Sequence, residues 1–100
     1  MTYSLRRTRD GAGDSGQMSD VITPIWDENH KLIDKIIEHN ARPKVGAAMM
    51  VGSGYARSYS AQDWWMTTPI TDILEERRDE DGTEYVRFKT GNSEYEWTQY

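Results

Sequence analysis

Two runs of alternating residues close on a Gly-Asn pair near the end of the chain, and no other feature constrains the fold as much. The runs are Glu84-Tyr85-Val86-Arg87-Phe88-Lys89-Thr90 and Ser93-Glu94-Tyr95-Glu96-Trp97, separated by Gly91-Asn92. Val86 and Phe88 alternate with Tyr85 and Arg87, and Tyr95 and Trp97 alternate with Glu94 and Glu96. A period of two marks strands with one buried face, and Gly and Asn tolerate the left-handed backbone that tight turns use. A hairpin is therefore expected here. Upstream, the stretch from Ile70 to about Arg77 reads as a further strand, and Asp79-Glu80-Asp81-Gly82 as the turn into the hairpin. Val45-Gly46-Ala47-Ala48-Met49-Met50-Val51 is apolar throughout and too short for periodicity to tell a strand from a helical turn. Pro43 and Gly52-Ser53-Gly54 on either side favour a buried strand.

A helix is expected before these strands. Thr23-Pro24 supplies an N-cap followed by proline at the first helical position, and Asp27 and Glu28 would sit at the positive end of the helix dipole. Ile25, Leu32, Ile33, Ile36 and Ile37 fall on one face at helical spacing, with Glu28, Lys31, Asp34, Lys35 and Glu38 opposite. The helix would run from about Pro24 to His39 and end before Asn40-Ala41-Arg42-Pro43. Residues 1–17 are dense in Gly, Ser, Arg and Asp without periodicity, and Met18-Ser19-Asp20 looks like an ordinary start. Residues 1–20 are thus expected to be a disordered tail, and residues 21–100 a single small domain. The predicted fold class is α+β, one amphipathic helix packed on a three- to four-stranded antiparallel meander.

Composition narrows the chemistry. At 100 residues and 36% hydrophobic the core must be thin, so four Trp and six Tyr have to fill much of it. There are no cysteines and only two histidines, which excludes disulfides and argues against a zinc site. On the expected helix His30 and His39 would lie about 180° apart and could not share a metal. With no long apolar run, the chain is expected to be soluble and cytoplasmic, away from membranes. The net charge is −5, with nine acids against four bases in residues 72–100 and Arg42, Lys44 and Arg57 against Asp63 in residues 41–71. Such a balance disfavours binding to a DNA or RNA backbone.

The cationic segment coincides with a ring-rich stretch, Arg57-Ser58-Tyr59-Ser60-Ala61-Gln62-Asp63-Trp64-Trp65-Met66-Thr67. Arg57 between Tyr55 and Tyr59 suits a base stacked on a ring with its phosphate held by a guanidinium. The competing reading is a surface Arg stacked on its neighbours. Gly52-Ser53-Gly54 could offer backbone N–H groups to a phosphate or simply turn the chain. Trp64 and Trp65 cannot both face inward if extended, so one fills the core and the other is left for solvent or a partner. No nucleophile, base and orienting group assemble in the sequence, so no enzyme activity, metal or cofactor is expected.

Thr67-Thr68-Pro69-Ile70-Thr71-Asp72-Ile73 and the run from Phe88 to Trp97 together resemble a short motif of small phage and prophage proteins. Among these the chain resembles the nucleotide sponges that counter Thoeris defence. That resemblance covers about 30 of 100 residues. It implies a non-enzymatic protein that sequesters a nucleotide-like anion in the host cytoplasm, with Asn92, Ser93 and Tyr95 as the matching positions. The hairpin explains the same three residues structurally, as turn former, hydrogen-bonding serine and packed ring. The alternative function is an acidic inhibitor or adaptor that binds a host protein. A homodimer is expected as well, with Trp64 or Trp65 and the C-terminal strand near its interface, because so thin a core leaves ring surface and sheet edges over.

Overall fold

Strands make up the regular structure of the described residues, the segment expected to be helical included. The computed structural model describes residues 1–53 and 64–100. It contains nine strands among those residues: β1 Tyr3–Arg7, β2 Gly13–Gly16, β3 Met18–Trp26, β4 Leu32–His39, β5 Ala48–Gly52, β6 Trp64–Met66, β7 Ile70–Arg78, β8 Glu84–Thr90 and β9 Glu94–Gln99. They form two antiparallel sheets, one of five strands in the order β2-β1-β9-β8-β7 and one of four in the order β4-β3-β5-β6. The fold is all-β, which corrects the α+β expectation.

The correction centres on Pro24–His39. In place of one helix, β3 and β4 pair antiparallel, from Asp20 opposite His39 to Trp26 opposite Leu32, with a bulge beside Trp26. Asp27 makes the turn: its carboxylate accepts the N–H groups of Asn29 at 2.8 Å and Lys31 at 2.9 Å, and His30 takes a φ of 59°. An Asx-type turn of this kind competes directly with a helical start. The flanking residues, five Ile with Val21 and Thr23, are stiff at χ1 and prefer a pleated surface. Pro24 is tolerated because β3 pairs with β5 only from Met18 to Ile22, so beyond Ile22 one side of β3 needs no ladder donor.

The expected tail also folds. β1 pairs with β9 from Tyr3↔Gln99 to Arg7↔Tyr95, and Tyr3 and Leu5 are buried. The chain passes from β2 to β3, and so between sheets, through Gln17 alone. There the backbones nearly touch, since a Cβ on Gly16 would lie 2.2 Å from the Gly52 carbonyl oxygen. Only glycine fits such an approach.

Where the sequence pattern was cleanest the strands are as expected. β7, β8 and β9 form an antiparallel meander, with Val86↔Trp97 and Phe88↔Tyr95 on the inner face. These residues meet Leu5 of β1 and Val21, Met49 and Val51 of the four-stranded sheet in one core. Trp97 is fully buried at its centre, its ring 5.9 Å from Tyr3, and its Nε1 donates to Ser19 Oγ at 3.0 Å. Ser19 Oγ in turn donates to the Ala41 carbonyl at 2.9 Å, so both buried polar groups are satisfied.

Candidate functional site

The β3–β4 hairpin runs past the sandwich that supports it. Beyond Ile22 it has β4 on one side and no β5 on the other. Every residue of β4 is exposed, yet four of its eight are Leu32, Ile33, Ile36 and Ile37, at 58%, 62%, 51% and 44% exposure. Register places Ile37 opposite Ile22 and Leu32 opposite Trp26, on the side of the sheet away from the core. Ile36 lies opposite Thr23 on the other side. Exposed apolar residues thus stand on both faces of the strand, Ile36 beside Asp34 and Glu38 on one and Leu32 and Ile37 beside Lys35 and His39 on the other. Among the described residues its outer edge is unpaired.

The outer face of the four-stranded sheet continues that surface. Ile22, Pro24, Trp26, Leu32, Ile37, Met50, Trp64 and Met66 line a groove of about 530 Å3, with Lys35 as its one cation among the described residues. At its far end, His39 Nδ1 lies 2.9 Å from the buried Asp20 carboxylate. Lys44 Nζ closes on Glu38 Oε1 at 2.6 Å. The groove therefore offers shape and apolar contact with few groups to hold a charged ligand.

The five-stranded sheet turns a different surface outward. Arg6, Glu96, Arg87 and Glu75 stand side by side across its strands, and Asp72, Lys89 and Glu94 form a second row. Arg87 reaches Glu94 at 3.4 Å and Glu75 at 3.8 Å, while the Arg77 guanidinium lies 4.3 Å from the Tyr85 ring centre. Much of the acid in residues 72–100 is thus matched by arginine. On the inner face of this sheet, at the start of β8, Glu84 is buried, with Arg78 hydrogen-bonded to it and Arg42 at 3.8 Å. The Arg78 hydrogen bond holds its carboxyl below the usual range. In the β1–β2 turn Asp10 is lowered to about 2, first by its hydrogen bond to Arg7 and then by the Ala12 N–H.

The residues singled out in the sequence are dispersed. Tyr55, Arg57 and Tyr59 lie outside the described residues. Trp64 and Trp65 fall on opposite faces of β6: Trp64 lines the outer groove, and Trp65 packs against the core with Arg7 over its ring at 5.3 Å. Tyr95 is buried, stacked on Phe88 with ring centres 5.6 Å apart and paired across strands with Arg7. Asn92 and Ser93 sit in the β8–β9 turn, their N–H groups 3.3 and 3.2 Å from Thr90 Oγ1. Arg7 thus brings Trp65 and Tyr95 together, while Trp64 belongs to the other face. The C-terminal strand β9 lies between β1 and β8, so its edges are already used.

Sequence reasoning missed Trp26, Leu32, Ile37 and Met66 as surface-forming residues. Their signal was Asp27-Glu28-Asn29-His30 set between two β-branched runs, which is a hairpin signature once helical spacing is put aside. Among the described residues no group of His, Asp and Glu could hold a metal ion, and no helix is long and apolar enough to cross a membrane. No family model, curated protein or solved structure matches the chain.

Proposed function

We propose that this is a non-enzymatic binding protein that docks another polypeptide along the β3–β4 hairpin and the outer face of the four-stranded sheet. One observation carries the reading: β4 exposes Leu32, Ile33, Ile36 and Ile37 together, with apolar side chains on both faces, and its edge is unpaired among the described residues. A small molecule in the groove would cover one face and leave the other face and the backbone donors and acceptors bare. A polypeptide can add main-chain hydrogen bonds at the edge and side-chain contacts on both faces. The area agrees. Trp26, Leu32, Ile37 and Met66 are 44–58% exposed. At about 150–250 Å2 for a large side chain they present on the order of 400 Å2, about half of what one partner gives a standard interface.

This narrows the adaptor alternative to an apolar rather than an acidic contact. The nucleotide-sequestering reading draws its support from Tyr55, Arg57 and Tyr59 and from the phage-sponge resemblance. Thermal-shift screening against cyclic and linear nucleotides tests it, since ligand at 100 times its dissociation constant stabilises by about 2.7 kcal/mol. The docking reading is tested by a photo-crosslinking amino acid placed at Trp26 and, as a control, at Tyr85 on the charged face. In the native cell, adducts at position 26 and none at position 85 are expected. Equal labelling at both, or none at position 26, would end the proposal.

A further inference from the structure

We infer that the polypeptide at this edge is a second copy of the chain, with β4 joined antiparallel to β4 across a two-fold axis at Ile37. The inference rests on the docking reading and names its partner. Four strands end a sheet among the described residues: β2, β4, β6 and β7. β2 and β6 have four and three residues, too short to template much. β7 is long but has two register shifts and the charged run Glu75-Glu76-Arg77-Arg78. Short length, bulges and charge are the usual ways in which an edge is protected. β4 is eight residues long and regular from Asp34 to His39, with its one bulge at Ile33 near the turn and its charges interspersed with isoleucine rather than gathered in a run.

Symmetry then selects the register. A two-fold axis normal to the sheet keeps every side chain on its own face, so one residue must lie opposite its own symmetry mate. Centring on Lys35 sets two ammonium groups together, and centring on Glu38 sets two carboxylates together. Centring on Ile36 opposes Asp34 to Glu38 of the second copy. Centring on Ile37 opposes Ile37 to itself, Ile36 to Glu38, Lys35 to His39 and Asp34 to Asn40. No like-charged carboxylates or lysines then meet directly, and His39 already faces Asp20 at 2.9 Å on its own chain. Like charges placed opposite one another destabilise a strand pair, so this register is the favoured one. It also joins the row Ala48–Ile22–Ile37 to its mate, making a continuous eight-stranded sheet with one apolar stripe. The larger acidic excess lies in residues 72–100, on the other sheet, while of the five acids in β3 and β4 and their turn Asp20 faces His39 and Glu38 is paired with Lys44.

The chain has no cysteine, so a single introduced thiol reports on its own symmetry mate. Light scattering at tens of micromolar should give twice the 11.6 kDa of one chain. Under mild oxidation Ile37→Cys should convert largely to a disulfide dimer, because opposed positions have Cβ atoms about 4.5–5.5 Å apart. Lys35→Cys should not link, its mate being about 13 Å away along the strand. A one-chain mass overturns the inference, as does a two-chain mass in which neither variant or both variants link. If the mass is that of one chain while position 26 still labels another protein, the pairing fails and the docking reading stands. Absence of any adduct at position 26 removes the docking reading itself.

Discussion

The two sheets share one core yet turn opposite chemistry to the outside. Across the five-stranded sheet Arg6, Glu96, Arg87 and Glu75 alternate in sign, each strand giving one face to the core and one to water. Across the four-stranded sheet the corresponding row is Ile37, Ile22 and Ala48, followed one pair later by Lys35 and Pro24. Packing between sheets explains only the inner faces. An antiparallel sheet can leave its second face to solvent at no cost in core packing, and the five-stranded sheet does. The apolar second face of the other sheet adds nothing visible to the fold of a single chain, which is why it reads as a contact surface.

The comparison requires that the core belong to both sheets alike, and the largest expected effect tests this. Trp97→Ala empties the centre of the sandwich, where Trp97 is fully buried and bonded to Ser19 across the sheets. A cost of about 3–5 kcal/mol is expected in chemical denaturation. Far-UV and fluorescence probes should report one transition for both sheets. Two separate transitions would show that the sheets fold independently, and the contrast between their outer faces would then compare two units rather than two sides of one.

The same contrast decides what the sequence disclosed. β8 and β9 alternate strictly because one face is solvated, and their register and inner residues Val86, Phe88, Tyr95 and Trp97 were legible from that alternation. β3 and β4 lost the alternation because β4 sets apolar beside charged residues on each face, Ile36 with Asp34 and Glu38 on one and Ile37 with Lys35 on the other. Ile25, Leu32, Ile33, Ile36 and Ile37 then matched helical spacing by coincidence, and Thr23-Pro24 completed the illusion of a helix start. β1 was hidden differently: Tyr3 and Leu5 alternate with Ser4 and Arg6, but five residues amid Gly, Arg and Asp give too little pattern. The proposed docking surface was illegible for a physical reason. Residues that answer to a partner rather than to the chain's own core need not follow its periodicity.

Glu84 tests the charged sheet at its most buried point. Its carboxyl is held low by Arg78, so it releases its proton more readily folded than unfolded. Its contribution is therefore complete above the unfolded carboxylate range and is lost as pH falls through the lowered folded value. Glu84→Gln should cost about 1–3 kcal/mol at neutral pH, leaving Arg78 without its charged acceptor. The variant should also lose less stability than the parent chain between about pH 5 and pH 3, where native carboxylates take up protons. Parallel acid titrations of the two proteins would place the acid response elsewhere, with Asp10 as the next group to examine.

Arg87→Ala removes the centre of the charge row. Both its ion pairs are partly exposed, so the loss should be about 0.2–1 kcal/mol and should shrink in high salt. Binding of an apolar dye should not change, because the row is far in chemistry from the groove. A salt-independent loss would mean that the guanidinium stem packs rather than pairs, and the face would be less purely electrostatic than its register implies.

Leu32→Thr on the apolar face has the smallest expected effect on stability and discriminates most sharply between the two sides. Leu32 is 58% exposed opposite Trp26, and threonine keeps the strand preference while removing most of the apolar contact. At concentrations low enough to hold the chain monomeric, unfolding stability should move by no more than about 0.5 kcal/mol, as for surface positions generally. Dye binding should fall, the reverse of the Arg87→Ala pattern. A leucine that supported the monomer would instead cost about 2–5 kcal/mol when truncated. That outcome would make β4 part of the chain's own core, and the apolar face would need no partner to explain it. Small loss of stability with a clear loss of dye binding would leave the face with a single use, contact with another chain.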